Sequence, residues 1–182
     1  CPWAHRTLIF RKLKNLEPHI GVSIVHPIML ENGWEFRTDF SQCTGDQILG
    51  KNSIFEVYLA ADKNITSRAS VPVLWDVKQA TIVSNESSEI IRMFNSAFEQ
   101  ISVNELDLYP RTLRTEIDEL NAMIYDDVNN GVYKTGFATS QKSYTESFME
   151  LFECLEELEQ RLSITRFLLG DKITEADWRL FT

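Results

Sequence analysis

The residues best suited to chemistry stand at Cys1-Pro-Trp-Ala4, the spacing of a C-x-x-C redox motif with alanine in place of the second cysteine. Leu8, Ile9, Phe10 and Leu13, set among basic residues, predict a helix from Ala4 to about Asn15 with Pro2 at its first position. A sulfur at a helix start faces amide donors and the positive end of the helix dipole, both of which favour thiolate over thiol. In such settings a thiol pKa of about 8.5 falls to roughly 3.5–7.5. Ala4 cannot attack a mixed disulfide formed at Cys1, so an external thiol must release the sulfur. Two other readings compete: a buried, inert cysteine, and a processed N-terminal nucleophile whose own amine is the base. The helix expected directly after Cys1 opposes the second of these.

The expected external thiol is glutathione, and other positions have chemistry suited to it. Val71-Pro72 interrupts an apolar strand; a cis bond there would free the Val71 backbone to pair with a peptide-like ligand, whereas an edge-strand proline is the plainer reading. Glu86-Ser87 opens a helix, where amides attract a carboxylate and the Glu86 side chain could hold an ammonium group; first-turn helix stabilisation is the alternative. Trp34, in Gly33-Trp-Glu-Phe36, is either a loop aromatic covering a ligand or a packing anchor. Tyr133 reads as part of an aromatic turn after a helix, its hydroxyl able to orient or protonate a phenolic oxygen. His5, His19 and His26 show no metal-ligand spacing, and no metal site is expected.

The elements that position these groups divide the chain. After the first helix, Gly21–His26 reads as a strand closed by Pro27. Residues 27–50, broken by Gly33, Gly45 and Gly50, are too long for an ordinary connection and read as an insertion. A short helix near Ser53–Ala61 follows, then a hairpin of Ser70–Trp75 and Ala80–Val83, then an amphipathic helix over Glu86–Phe98. Ser102–Pro110 is a linker, and everything beyond it reads helical. One helix runs from Leu113 to Val128 and ends at Asn129-Asn-Gly131, and a second spans Tyr144–Leu162. A third starts at Thr174-Glu-Ala-Asp177, with Thr174 as its cap.

Composition narrows the partners. A formal net charge of −9 opposes nucleic-acid phosphates and anionic membrane surfaces, and no apolar run approaches the ~20 residues of a spanning helix. Three sparse cysteines, Cys1, Cys43 and Cys154, suit a reducing compartment, so a cytoplasmic protein is expected. The chain opens on Cys and stops in the first turns of a helix, which suggests a fragment of a longer protein.

Cys1-Pro-Trp-Ala-His-Arg6, Gly33–Phe36, Val71–Asp76, Ile82–Ser87 running on through Ile90–Phe94, Asn129–Tyr133 with Gly136–Ala138, and Ile173–Asp177 together resemble the glutathionyl-hydroquinone reductases, the Xi class of glutathione transferases. The resemblance spans nearly the whole chain. It implies an α/β plus all-α protein: a thioredoxin-like domain over residues 1–100 and an all-helical domain over 101–182, with a first strand before Cys1 and final helices after Thr182. It further implies reduction of glutathionyl-hydroquinones, with Cys1 as nucleophile and glutathione as co-substrate. No cofactor would be permanently bound. By the same resemblance Trp34, Val71, Glu86 and Ser87 contact glutathione, with Pro72 beside Val71. Tyr133 lines the hydroquinone pocket, and the longer protein is a homodimer. An arginine that holds glutathione in some members has no clear counterpart, since Phe55 or Glu56 falls near its place. An omega-like thioltransferase or dehydroascorbate reductase would use the same Cys1. A transferase-fold interaction module would need no chemistry at all.

Overall fold

The computed structural model describes residues 1–102 and 104–182 and divides into two compact units, Cys1–Glu105 and Leu106–Thr182. The expected linker Ser102–Pro110 includes Val103, which lies outside the described residues.

In the first unit, helix α1 (Pro2–Leu13) begins with Cys1 as its N-cap and Pro2 in its first turn. Proline fits there because its missing N–H would have no partner within the helix. The helix ends on a left-handed Asn15 (φ +53°), with Asn15 N–H bonded to the Lys12 carbonyl and Leu16 N–H to that of Arg11. This pattern satisfies carbonyls left open at a helix end, and it buries Leu16 completely. Helix α2 (Ile54–Ala61), the antiparallel pair β1 (Leu74–Asp76) and β2 (Thr81–Ser84), and helix α3 (Ser87–Ser96) follow. The hairpin turn is held by Asp76, whose carboxylate accepts from Gln79 N–H at 2.8 Å, and by Ala80 at φ +52°. Phe10 and Leu16 are buried in this unit, as are Ile54, Val57 and Tyr58 around α2 and Ile90, Ile91 and Phe94 on α3. The apolar face of α3 thus follows the i, i+4 spacing legible in its sequence.

Gly21–His26 is not a strand. Its backbone is engaged by the 27–50 segment instead: His26 N–H donates to the Glu35 carbonyl at 2.8 Å, and Ile24 N–H to Thr44 Oγ1 at 2.8 Å. A β-ladder needs a run of regular partners, and these scattered bonds supply none. The same segment reaches α2, since Ile54 N–H donates to the Trp34 carbonyl at 2.9 Å and Phe36 N–H to that of Asn52 at 2.8 Å. Residues 27–50 therefore join the 21–26 stretch to the start of α2.

The second unit is helical: α4 (Arg114–Met123), a π-helical segment (Ile124–Asn129), α5 (Asn130–Gly136), α6 (Gln141–Ile164) and α7 (Glu175–Phe181). Leu120, Ile124, Val128, Leu151, Cys154, Leu158, Leu168 and Ala176 form its core. The expected helix end at Asn129-Asn-Gly131 does not occur. Asn129 and Asn130 both hold right-handed helical backbone, and the chain runs on into α5. The reason lies in packing: Gly131 is buried, and a Cβ built on it would sit 3.6 Å from Leu151 Cβ and Cδ1. This glycine is packed against α6 rather than turning the chain. Among the described residues, no helix is long and apolar enough to cross a membrane.

Candidate active site

Cys1 is exposed at the N-cap of α1, and its thiol faces the Val71 carbonyl, with Sγ 3.7 Å from the oxygen. The peptide from Val71 to Pro72 is cis, and Pro72 is buried while Val71 is half-buried. Tyr58 on α2 fixes the approach to this bond. Its hydroxyl lies 3.1 Å from the Ser70 carbonyl, and it accepts from Asn85 Nδ2 at 2.8 Å. One buried hydroxyl therefore connects α2, the residue before Val71 and the residue before Glu86.

Glu86 is the N-cap of α3 and is exposed. Its N–H donates to Ser84 Oγ at 3.0 Å, and that hydroxyl donates to Glu89 Oε2 at 2.7 Å. These bonds turn β2 into α3 and aim the first-turn amides out of the helix end. Ser87 is buried within the same turn and accepts from Arg6 Nη1 at 3.5 Å. Arg6 comes from α1, which packs on α3.

Of the residues singled out by sequence, Cys1, Val71, Pro72, Glu86 and Ser87 all lie in this first unit, with Cys1 and Val71 in direct contact. Trp34 lies in the 27–50 segment, half-buried, with its carbonyl tied to α2. Tyr133 belongs to the second unit, and it lies within α5 rather than in a turn. It is exposed and stacks on Phe137, one helical turn later, with ring centroids 6.3 Å apart and planes inclined by 7°. Arg6, Tyr58 and Asn85 were not singled out by sequence. Arg6 did carry a signal, because it shares an i, i+4, i+7 stripe with Phe10 and Leu13 and so lies on the apolar side of the helix.

No group of three or more His, Cys, Asp or Glu residues suited to a metal occurs among the described residues. Cys43 donates to the Val25 carbonyl at 3.4 Å, and Cys154 is buried in the helical core. Burial pushes the Cys154 thiol pKa up, and the nearby Asp127 and Glu157 carboxylates push it the same way. Cys1 is thus the most accessible of the three sulfurs, and it is the one that begins a helix.

A thiol at a helix start, beside the carbonyl that precedes a cis-proline and followed by a hairpin and a helix, is the arrangement of a glutathione transferase N-terminal domain. The family model described as glutathione S-transferase, N-terminal domain, matches residues 1–97, and that of the C-terminal domain matches 141–182. The chain belongs to the glutathione S-transferase family.

Within that family it is 58% identical to the glutathionyl-hydroquinone reductase YqjG of Escherichia coli K12 over all 182 residues, which cover 56% of that protein. The glutathione-bound structure of the E. coli protein superposes with a TM-score of 0.97 over 99% of this chain and 59% of that one. The glutathione transferase Xi 1 of Trametes versicolor is 49% identical and superposes with a TM-score of 0.96, over the whole of this chain and 64% of its own. The chain thus spans little more than half the length of the curated relative.

Proposed function

We propose that the intact protein reduces glutathionyl-hydroquinones with glutathione through a mixed disulfide at Cys1. The observation that carries this reading is the exposed Cys1 sulfur, set at the start of α1 and against the Val71 carbonyl. The 58% identity to a protein named for that activity supports it. The Cys1 thiol faces a carbonyl that can only accept a hydrogen bond from it. Loss of the thiol proton releases the sulfur toward the α1 dipole, where the thiolate is favoured.

The thiolate then attacks the sulfur of the substrate thioether. An S–S bond forms, the aryl C–S bond breaks with its electron pair moving to the ring carbon, and that carbon takes up a proton to give the free hydroquinone. A second glutathione thiolate attacks the glutathione sulfur of the mixed disulfide, forming glutathione disulfide and regenerating the Cys1 thiolate. Two electrons pass to the aryl carbon from two glutathione sulfurs, the thioether's and the incoming thiol's, and no permanently bound cofactor is needed.

In this scheme Val71 pairs with the glutathione backbone beside Pro72. The amides at the start of α3, with Ser87, receive a carboxylate, while Glu86 takes the ammonium and Trp34 covers the tripeptide. Tyr133 orients the phenolic oxygen of the quinol by a hydrogen bond. The glutathione-bound structure of the E. coli relative supports glutathione as co-substrate. We take the intact protein to be a cytoplasmic homodimer, as the family resemblance implies.

The test is turnover of a glutathionyl-hydroquinone by the intact protein. Cys1→Ala abolishes it, Cys43→Ala and Cys154→Ala retain it, and Tyr133→Phe lowers kcat by about 10²-fold. Equal losses in all three cysteine variants would sink the assignment. Faster turnover of simple mixed disulfides than of the quinol conjugate would move the protein to the omega-like thioltransferases.

A further inference from the structure

We propose that Arg6 is a positioning residue for glutathione, acting through Ser87; the proposal rests on the reading of Ser87 as a glutathione contact. Arg6 is 2% exposed and Ser87 4%, so both sit inside the unit rather than on its surface. Arg6 Nη1 lies 3.5 Å from Ser87 Oγ, and this bond joins the helix that carries Cys1 to the helix whose start would receive a carboxylate. The guanidinium is also held along its own helix, with its central carbon 4.7 Å from the centroid of the Trp3 ring. A buried side chain fixed at two points has little freedom to turn elsewhere.

The chemical consequence follows from proton bookkeeping. A guanidinium has five donors and no acceptor, so Ser87 Oγ must accept from it through a lone pair. The hydroxyl's single proton is then left to point at some other acceptor. A carboxylate is acceptor-only and takes that proton, whereas an ammonium on the hydroxyl's remaining lone pair would be brought up against the like charge of the Arg6 guanidinium. Arg6 therefore orients Ser87 as a donor and selects a carboxylate of glutathione at that position. Sequence separation hides this role: the two residues lie 81 positions apart, and the arginine reads as one more basic residue in a basic helix.

A double-mutant cycle in the intact protein tests it, read as KM for glutathione against kcat. Ser87→Ala and Arg6→Met each raise KM roughly tenfold, the loss of about one charge-assisted hydrogen bond, with kcat within about threefold of the parent. Arg6→Lys, which keeps a buried donor, recovers part of the loss. In the Ser87→Ala background, Arg6→Met adds less than about twofold, because the hydroxyl it acts through is gone. If the two effects multiply instead, Arg6 does not act through Ser87 and the proposal is overturned, while the reading of Ser87 stands. If Ser87→Ala leaves KM unchanged, that reading fails and the proposal fails with it. Should the Arg6 variants not fold, nitrogen-15 NMR of the unaltered protein decides: glutathione saturation shifts the Arg6 Nε–H signal, and Ser87→Ala abolishes the shift. A signal that does not move on saturation, or that moves equally without the hydroxyl, overturns the proposal.

Discussion

The side-chain amide of Asn121 donates to Glu175 Oε1 at 2.9 Å, and both residues are buried, at 3% and 1% exposure. The same carboxylate oxygen lies 3.4 Å from Arg179 Nη1, so α4 and α7 are joined around a buried charge. Removing one member of such a set leaves the others desolvated without their partner, at a cost of about 3–5 kcal/mol. Glu175→Ala is therefore expected to lower the unfolding free energy by about that amount, and Glu175→Gln by less, because a carbonyl oxygen still meets Asn121. Urea unfolding of the two variants checks the order; equal losses would show that a neutral carbonyl retains nothing of the interaction and that the charge carries all of it.

The three cysteines should separate by reactivity. Cys1 is exposed, whereas Cys154 is buried and its thiol is held protonated by burial and by the Asp127 and Glu157 carboxylates. Since the thiolate is the reacting species, iodoacetamide at pH 7.5 should alkylate Cys1 well before Cys154. Peptide mapping by mass spectrometry on a time course measures this, and Cys154 should become reactive only after denaturant is added.

Acid should loosen the 46–51 turn first. Asp46 accepts from the N–H groups of Ile48, Leu49 and Lys51 at 2.9–3.1 Å. Its partial burial pushes the carboxyl pKa up, but the bonds from Lys51, Ile48 and Leu49, with Ser23, outweigh this and leave it below its usual value of 3.8. A carboxylate with a depressed folded-state pKa contributes stability that is complete above its unfolded value and is lost as pH falls through the folded one. Unfolding midpoints should therefore fall from pH 4.5 to 3, and Asp46→Asn should flatten that limb. An unchanged acid limb in the variant would show that other carboxylates control it.

At Gly131 size is the deciding variable. An added Cβ meets Leu151 at 3.6 Å, an ordinary van der Waals contact, so Gly131→Ala fits and gains up to about 1 kcal/mol of helix propensity. Gly131→Leu has no such room against α6 and should cost about 1–3 kcal/mol through overpacking. Thermal unfolding of the pair gives opposite shifts in Tm if the space against Leu151 admits a methyl group and nothing larger.

Much of the candidate site was legible because its signals are local. Proline after cysteine marks a helix start, and the structure places Cys1 at the N-cap and Pro2 in the first turn. Thr174 and Asp177 form the expected capping box, with Thr174 N–H donating to Asp177 Oδ2 at 2.8 Å. The hairpin turn at Asp76–Gln79 and the apolar stripe of α3 fell where side-chain period and turn chemistry put them. The 21–26 stretch and the Asn129-Asn-Gly131 segment were misread for one shared reason. A β-rich hexapeptide becomes a strand only when a neighbouring backbone pairs with it in regular register, and here Glu35 and Thr44 took those groups singly. An Asn-Asn-Gly run stops a helix unless packing rewards its continuation, as Leu151 does against Gly131.

By itself, then, the sequence determined which groups could react and where short-range geometry would hold them: a cysteine at a helix start, a proline beside a hairpin, and a serine in the first turn of another helix. Interactions over one to four residues decide such features, and their partners are visible side by side in the chain. Only the tertiary structure decided that Arg6 is buried against Ser87, 81 residues away, and that Glu175 meets Asn121 across 54. Charged side chains enter an interior only where partners already wait for them. Those partners come from other elements, so the identity of a buried charge's neighbours is a property of packing.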